Sequence, residues 1–324
     1  MSQMKEVFGP DGTGEDTFLG LPGCDDLARL DAAVAIIGAP IATPYPGFGS
    51  FSATTPAALR AAMSYYTPLS RHYDFEIGGS LLDARFGAVV DAGDLATSES
   101  DFAGNRTTIT NAVKQILQAG AAPIVIGGDD SVPIPVFQAF EGRGPFTVLQ
   151  FDAHIDWRDE VGGERYGLSS TMRRASEMPW IERIVQVGMR SMGSARRGEV
   201  EDALTWGARI ITAQQVHREG VQPVLDLIPA DSSVLVTFDC DVLDSSIMPA
   251  VMSPTPGGLT YWDAVEVLQG VAAKARLGGF NLVEFMPSRD SDGTSALTAA
   301  RLVFNAAALL ARKSPQSVDC VPCS

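Results

Sequence analysis

The sequence predicts an α/β protein with a mostly parallel sheet covered by helices on both faces. Short apolar segments rich in Val and Ile alternate with amphipathic segments over most of the 324 residues. Several of these segments lack the polar alternation of a half-exposed sheet, which is typical of buried parallel strands. No break in composition and no internal repeat divides the chain. We therefore predict one domain over residues 1–324, with an N-terminal extension at 1–30 and a C-terminal tail at 314–324.

Eight apolar segments have the length and composition of strands. In chain order they are Ala33–Gly38, Gly87–Asp91, Pro123–Ile126, Phe146–Phe151, Arg183–Val187, Ala208–Ile211, Ser233–Phe238 and Phe280–Phe285. Because helical patterns lie between them, we expect eight mostly parallel strands in one sheet.

Four of the helical patterns are the clearest. Thr55–Tyr66 has Pro56 in its first turn, where proline favours the start of a helix. Asn105–Gly120 ends at a glycine, as many helices do. Tyr261–Arg276 and Ser295–Arg312 are the longest of the four.

The formal charge of the chain is −15, from 39 acidic and 24 basic residues. This charge argues against nucleic acids and anionic membranes as partners, because both attract clustered Lys and Arg. It is compatible with a cationic substrate. The sequence shows no basic segment leading into an apolar one near Met1 and no run of about 18 apolar residues, so we expect a cytoplasmic protein without a membrane span.

The cysteines do not form the framework of a disulfide-rich protein. There are four of them, Cys24, Cys240, Cys320 and Cys323. The last two form a CxxC pair, but a zinc site needs more ligands than this pair supplies. We interpret the pair as incidental.

The strongest functional signal follows the predicted strand Phe146–Phe151. Asp152, His154 and Asp156 alternate along the chain, and alternating residues of an extended segment point to the same side. Open α/β sheets bind their ligands at the C-terminal ends of the strands. We therefore expect these three side chains to converge on one site.

The same design occurs a second time. The predicted strand Ser233–Phe238 leads directly into Asp239 and Asp241, with Cys240 expected to face the other way and pack. Four crowded carboxylates and an imidazole resist joint ionisation unless cations neutralise them. Such ligands suit Mn²⁺, Ni²⁺ or Zn²⁺ better than Ca²⁺, so the two motifs predict a pair of divalent cations. The alternative is that these acids cap helices and face water.

A glycine-rich motif, Gly127–Ser131, follows the predicted strand Pro123–Ile126. Its glycines allow a tight turn between the strand and the next helix. Asp129 or Ser131 is expected to cap the N-terminus of that helix.

Together, these motifs resemble the signature of the ureohydrolase family, which includes arginases and agmatinases. The matching segments are Asp91–Asp94, Ile126–Ser131, Phe151–Asp156, Thr237–Asp244, Ser253–Gly258 and Val283–Pro287. The similarity extends from about Ala33 to Arg312. It implies an arginase-like three-layer α/β/α sandwich that binds two bridged Mn²⁺ ions, or Ni²⁺ in some members.

The resemblance also implies roles for individual residues. By position, the metal ligands are Asp152, His154, Asp156, Asp239 and Asp241. Glu284 matches an acid that contacts the substrate guanidinium, and Asp156 matches the residue that orients the attacking hydroxide. The implied reaction is hydrolysis of a guanidinium-type C–N bond to urea and an amine. A simpler interpretation of Glu284 is a buried acid paired with Arg289.

The chain departs from the family pattern in two places. Family members usually carry a histidine ligand of the first metal where this chain has Asp130, and we expect Asp130 to bind that metal instead. Many members also carry a histidine in the loop after the Phe151–Asp156 motif, whereas Gly167–Arg174 contains none. The usual proton shuttle is therefore expected to be missing.

Other residues replace that histidine poorly. His72 and His217 are expected on the surface. Three loop acids, Asp159, Glu160 and Glu164, are available for proton transfer, but nothing in the sequence distinguishes one of them.

The sequence does not decide between several candidate substrates: agmatine, guanidinobutyrate, guanidinoacetate, guanidine, and alkylated guanides or biguanides. The loops Tyr45–Ser50 and Trp157–Thr171 are unlike those of arginases and favour a substrate other than arginine. The alternative function is a non-catalytic or partly metal-depleted subunit of a heteromeric ureohydrolase. In either case the resemblance implies a trimer or hexamer. A sugar- or nucleotide-binding protein fits less well, because the chain has no GxGxxG or Walker loop.

Overall fold

One sheet of eight parallel strands forms the centre of the protein. The computed structural model describes residues 17–45, 47–193 and 195–312. The strands are β1 (Val34–Ala39), β2 (Val89–Asp94), β3 (Ala122–Gly127), β4 (Phe146–Phe151), β5 (Ile181–Met189), β6 (Arg209–Thr212), β7 (Ser233–Asp239) and β8 (Arg276–Val283). Their spatial order is β2-β1-β3-β8-β7-β4-β5-β6, and every neighbouring pair is parallel. The predicted eight-stranded sheet is confirmed.

Helices cover both faces of this sheet. The α-helices of the described residues are α1 (Thr55–Ser64), α2 (Phe102–Gln118), α3 (Pro133–Gln138), α4 (Thr171–Ser176), α5 (Arg197–Trp206), α6 (Ala213–Glu219), α7 (Gln222–Asp226), α8 (Tyr261–Lys274) and α9 (Thr294–Ala311). Side chains of α1 and α6 to α9 belong to one hydrophobic cluster, and those of α2 to α5 belong to a second.

The two clusters lie on opposite faces of the sheet, because successive residues of a strand point in opposite directions. In β1, Val34 and Ile36 belong to the first cluster, and Ala35 and Ile37 belong to the second. All four are fully buried. This is the expected three-layer α/β/α sandwich, and burial on both faces explains why the strands show no polar alternation.

The junction between α8 and β8 was predicted too late in the chain. The helix ends at Lys274, and β8 spans Arg276–Val283 rather than Phe280–Phe285. Glycines at the start of β8 weaken the strand signal in the sequence. A Cβ on Gly278 or Gly279 would lie 3.1 to 3.2 Å from side chains of the adjacent strands, so a larger residue would require those side chains to shift.

The helix α9 is long and apolar enough to cross a membrane by length and composition alone. Its mean hydropathy is 1.4 over 18 residues, but 67% of this stretch is buried inside the protein. Leu302 and Val303 are fully buried in the first hydrophobic cluster. Arg301 and Asn305 interrupt the helix, so it is not a continuous run of apolar residues, and packing against the sheet accounts for its composition.

The described part of the N-terminal extension packs on the edge of the sheet. Phe18 is fully buried, and its N–H donates to Asp91 Oδ2 at 2.7 Å. Asp91 and Asp94 of the Asp91–Asp94 motif both form ion pairs with Arg60. The predicted C-terminal tail, with Cys320 and Cys323, lies outside the described residues.

Candidate active site

The predicted site residues meet at the C-terminal ends of the four central strands. They are Asp130 after β3, Glu284 after β8, Asp239 and Asp241 at and after the end of β7, and Asp152, His154 and Asp156 after β4. All of them except Asp152 line one cavity of about 160 Å³. This volume is below the roughly 300 to 1,000 Å³ of pockets for drug-sized ligands, so the cavity is suited to a small molecule.

The ligand atoms of these residues form two groups that share Asp152. One atom each of Asp152, His154 and Asp241 lie within 4.8 Å of one another. The same holds for Asp130, Asp152 and Asp239. Asp152 belongs to both groups, so two cations held there would share this carboxylate.

The side chains converge for a different reason from the predicted one. Residues 152–156 are not extended, and Asp156 has a φ of 45°. After β7, residues Cys240–Val242 form a 3₁₀ turn. In each motif the first carboxylate accepts the N–H two residues later: Asp152 Oδ1 from His154, and Asp239 Oδ1 from Asp241. The turns bring the tips together, and Cys240 is buried as predicted.

His154 lies between two carboxylates. Its Nδ1 is 3.2 Å from Asp152 Oδ1 and 3.0 Å from Asp241 Oδ2. Burial opposes protonation, but these two acids outweigh it and raise the pKa of the imidazole to about 12. Without a metal, a proton on His154 therefore offsets part of the negative charge of the two acids. A cation bound at this position would neutralise that charge instead, and an imidazole with two carboxylates is a suitable ligand set for Mn²⁺.

Asp130 lacks the partners that a buried acid needs. Both of its carboxylate oxygens are buried and accept no hydrogen bond from the described residues. Burial, and then the charges of Asp156 and Asp152, raise the pKa of this carboxyl well above its usual range. Because buried polar atoms are rarely left unsatisfied, the oxygens of Asp130 fit a metal ligand better than a structural acid.

A glutamine that the sequence analysis missed fixes two of the acids. Gln150 Nε2 donates to Asp152 Oδ2 and to Asp156 Oδ2, both at 2.7 Å. Gln186 Nε2 donates in turn to Gln150 Oε1 and to the Ile155 carbonyl. The bond from Gln186 fixes the Oε1 side of the Gln150 amide, so the N–H groups of Gln150 face the carboxylates. The sequence did contain a signal for this contact: two predicted buried strands each include a glutamine, and a buried amide needs a hydrogen-bond partner.

Glu284 belongs to the site, but its predicted simpler role is wrong. Its Oε1 accepts the Asp130 N–H at 2.8 Å, and its φ is 67°. Burial, and then the charge of Asp129, raise the pKa of this carboxyl well above its usual range. Arg289 does not pair with Glu284; its Nη1 donates to the carbonyls of Val251 and Met252.

The predicted helix caps are also wrong. The residue that precedes α3 is Val132, which makes no side-chain capping bond. Asp129 Oδ1 accepts the N–H and the hydroxyl of Ser131, so the two residues close the turn between β3 and the helix. The Ser131 Oγ also accepts the Thr43 N–H at 2.7 Å.

The loop acids do not reach the cavity. Asp159 accepts from Arg174 at 2.6 Å, and this bond holds its pKa below the usual range. Glu160 is exposed, and Glu164 accepts the Tyr166 N–H. His72 and His217 are exposed, as predicted. His154 is therefore the one histidine among the described residues that line the cavity.

Two charged residues in the cavity wall were not identified as such in the sequence. Arg158 and Glu199 line the cavity, and Arg158 Nε lies 3.7 Å from Glu199 Oε1. Glu199 comes from the first turn of α5, 41 positions after Arg158 in the chain. No local motif connects two residues so far apart, so only the folded chain brings them together.

Known proteins resemble this chain over most of its length. Residues 32–309 match the arginase family. The chain is 29% identical to a guanidinobutyrase of Pseudomonas aeruginosa, over 90% of this chain and 91% of the relative. It is 30% identical to a mitochondrial arginase of Medicago truncatula, over 88% and 84% of the two chains. Among solved structures, the proclavaminate amidino hydrolase from Streptomyces clavuligerus has a TM-score of 0.79 at 27% identity, over 94% of this chain and 99% of that chain.

Proposed function

Because this chain belongs to the arginase family, whose members are hydrolases acting on C–N bonds in amidines, we propose that it is a metal-dependent ureohydrolase. It cleaves a guanidinium-type C–N bond of a small guanidino compound and releases urea and an amine. The observation that carries this proposal is the pair of ligand groups that share Asp152. Two neighbouring cations would require two such groups with a shared ligand.

The residues present fit two divalent cations, Mn²⁺ or alternatively Ni²⁺. Asp130, Asp152 and Asp239 would hold one ion, and Asp152, His154 and Asp241 would hold the other. Asp156 accepts a hydrogen bond from the same Gln150 amide as Asp152, and it therefore lies beside the group formed by Asp130, Asp152 and Asp239. Such a pair of ions acidifies water and supplies a hydroxide nucleophile near neutral pH.

The protein's own side chains bind and orient the reactants. Asp156 lines the cavity, where its carboxylate can accept a hydrogen bond from the nucleophile and direct it at the guanidinium carbon. Glu284 uses Oε1 to accept from Asp130, which leaves Oε2 for the substrate guanidinium. The departing amine needs a proton. Since no free histidine lines the described cavity, water is the proposed source.

Metal content and urea release test this proposal. Purified protein is loaded with Mn²⁺ or Ni²⁺, freed of unbound metal, and analysed for ions per chain and for urea from a panel of guanidino compounds. The expected result is about two ions per chain and urea from at least one compound. Fewer than one ion per chain, with no urea from any compound, would exclude an active enzyme.

A non-catalytic subunit of a heteromeric ureohydrolase is the second candidate. One feature favours it: the sequence resemblance implies that Asp130 replaces a histidine ligand of the first metal. The same assay separates the two functions when it is repeated with any ureohydrolase homologue encoded beside this chain. Urea release only in the mixture, together with low metal content of this chain alone, would favour the accessory subunit.

A further inference from the structure

We propose that Arg158 determines substrate specificity by binding the carboxylate of a guanidino acid. The inference rests on the proposed function, because it concerns the tail of the molecule whose guanidinium is cleaved. It narrows the substrate to compounds with a guanidinium at one end and an anionic group at the other.

The backbone holds Arg158 in the cavity wall. The preceding Trp157 is 2% exposed and packs edge-on against Trp206 of α5, with ring centroids 6.0 Å apart. The Arg158 N–H donates to the Ser169 carbonyl at 3.0 Å, and Ser169 lines the same cavity. The base of the arginine side chain is therefore fixed on both sides.

The guanidinium of Arg158 has one ion-pair neighbour, Glu199, and no hydrogen-bond partner among the described residues. Arg158 is the only arginine or lysine among the described residues that line the cavity, and its guanidinium makes no hydrogen bond within the described part of the chain. Its nearest acid, Glu199, is 3.7 Å away, which is beyond hydrogen-bonding distance. Five N–H donors in a planar fork are thus available for a carboxylate, which binds such a fork through two parallel bonds.

Glu199 does not offer an equivalent site for a cation. Its Oε2 accepts the Arg196 N–H at 2.7 Å, as part of the capping box that begins α5. Its Oε1 lies 3.4 Å from Arg196 Nη1 and 3.7 Å from Arg158 Nε. Both oxygens already lie beside positive or N–H groups, so an ammonium ion would have to displace them.

The charges along the cavity therefore favour one class of tail. With the guanidinium of the substrate at Glu284, a carboxylate at the other end meets the free donors of Arg158. The ammonium group of a guanidino amine meets a like charge there, which costs binding energy. Guanidine and alkylguanidines have no group that uses these donors. A small guanidino acid is the substrate that satisfies both ends.

Three probes that differ mainly in the charge of the tail test the proposal: 4-guanidinobutyrate, agmatine and 1-butylguanidine. For each probe that is cleaved, KM and kcat are measured on Mn²⁺-loaded protein; for each probe that is not cleaved, the affinity is measured by isothermal titration calorimetry. The wild type is expected to bind 4-guanidinobutyrate about 10- to 100-fold more tightly than 1-butylguanidine, as for hydrogen bonds between charged groups.

Arg158→Met should remove this preference by raising KM and Kd for the acid about 10- to 100-fold, with affinity for 1-butylguanidine within about threefold. Arg158→Lys keeps the charge without the fork and should retain part of the preference. Arg196→Met is the matched control, because Arg196 also contacts Glu199 but does not line the cavity. It should leave all three affinities unchanged.

The outcomes separate this inference from the proposed function. If the wild type cleaves agmatine or 1-butylguanidine with the same kcat/KM as the acid, the proposed ureohydrolase function is supported and the role of Arg158 is refuted. The same conclusion follows if Arg158→Met weakens all three probes equally. If the wild type binds metal but neither binds nor cleaves any guanidino compound, the proposed function falls and this inference falls with it.

Discussion

Asp130 has the least satisfied environment of the site residues. Its backbone is well held: the N–H donates to Glu284 Oε1, and the carbonyl accepts from the Thr171 hydroxyl. Its carboxylate oxygens have no partner in the described structure. This ligand group is all-oxygen, because Asp152 and Asp239 complete it with Asp130. Oxygen ligands favour Mn²⁺ over metals that prefer nitrogen.

Substitutions of Asp130 should therefore change both the number and the kind of bound metal. Asp130→Ala is expected to lower metal content by about one ion per chain, because one ligand group loses a third of its donors. Asp130→His should keep two ions and shift the preference from Mn²⁺ toward Ni²⁺ or Zn²⁺. Elemental analysis after gel filtration from a mixture of metals measures both effects.

Asp129→Asn is the control for these variants. Asp129 is also buried in the same turn, but its Oδ1 accepts from Ser131, and an amide oxygen can accept in the same way. The variant should retain the metal content of the wild type. An Asp130→Ala protein that still binds two ions would remove Asp130 from the site.

The convergence of the site residues was predictable from the sequence where these residues are near neighbours in the chain. Asp152, His154 and Asp156 are close in sequence, so the turn that follows β4 is enough to bring them together. Arg158 and Glu199 are close only in the fold. Gln150 was hidden because its strand was interpreted as apolar, and the pattern does not show which face of a buried strand lies beside the site.

At the scale of elements, a row of polar side chains crosses the sheet below the site. In β5, β4, β7 and β8, the residues Gln186, Gln150, Thr237 and Asn281 lie in register. All four are buried. Thr237 Oγ1 donates to Asn281 Oδ1 at 2.7 Å, whereas Gln186 supports Gln150 and Gln150 contacts the acids. One half of the row thus serves the site, and the other half does not contact it.

Gln150→Leu should weaken binding of Mn²⁺ to the metal-free protein by about 10- to 100-fold, which is typical of losing a hydrogen bond that orients a ligand. Asp152 and Asp156 would each lose an N–H partner and regain rotational freedom. Titration of Mn²⁺ followed by electron paramagnetic resonance measures the affinity without a substrate.

Thr237→Val provides a matched comparison within the same row. It removes a buried hydroxyl of similar surroundings, but that hydroxyl contacts Asn281 rather than a ligand. Its Kd for Mn²⁺ should stay within about threefold of the wild type. Equal losses in the two variants would show that the row matters only for packing.

The strands themselves were predictable because buried parallel strands have continuous apolar sequences. All eight appear in the structure, with ends shifted by a few residues. The largest shift occurs in β8, where Gly278 and Gly279 serve close contacts with neighbouring strands. Those contacts depend on which strands become neighbours, and the order β3-β8-β7-β4 is not encoded in any single segment.

At the scale of the molecule, the acidic cluster concentrates negative charge at the C-terminal ends of the four central strands. Removal of divalent cations should therefore destabilise the whole fold. An ion at 100 times its Kd stabilises the native state by about 2.7 kcal/mol. For 324 residues, two ions correspond to a Tm rise of roughly 8 °C.

Calorimetric scans of the metal-free and Mn²⁺-loaded protein measure this shift. The double variant Asp130→Asn/Asp241→Asn, which removes one charge from each ligand group, should have a smaller response to Mn²⁺. Identical Tm values for the wild type with Mn²⁺ and with a chelator would contradict a metal centre in the fold.

The partners in this cluster come from distant parts of the chain. The Asp130 N–H and Glu284 Oε1 are 154 residues apart, and the Ala153 N–H and Asp241 Oδ1 are 88 residues apart. In an unfolded chain these ligand side chains lie far apart, and they come together only when β3, β8, β7 and β4 pair in the sheet. An ion that binds this cluster would therefore bind after the long-range strand pairing that limits the folding rate, and we expect it to slow unfolding rather than to speed folding.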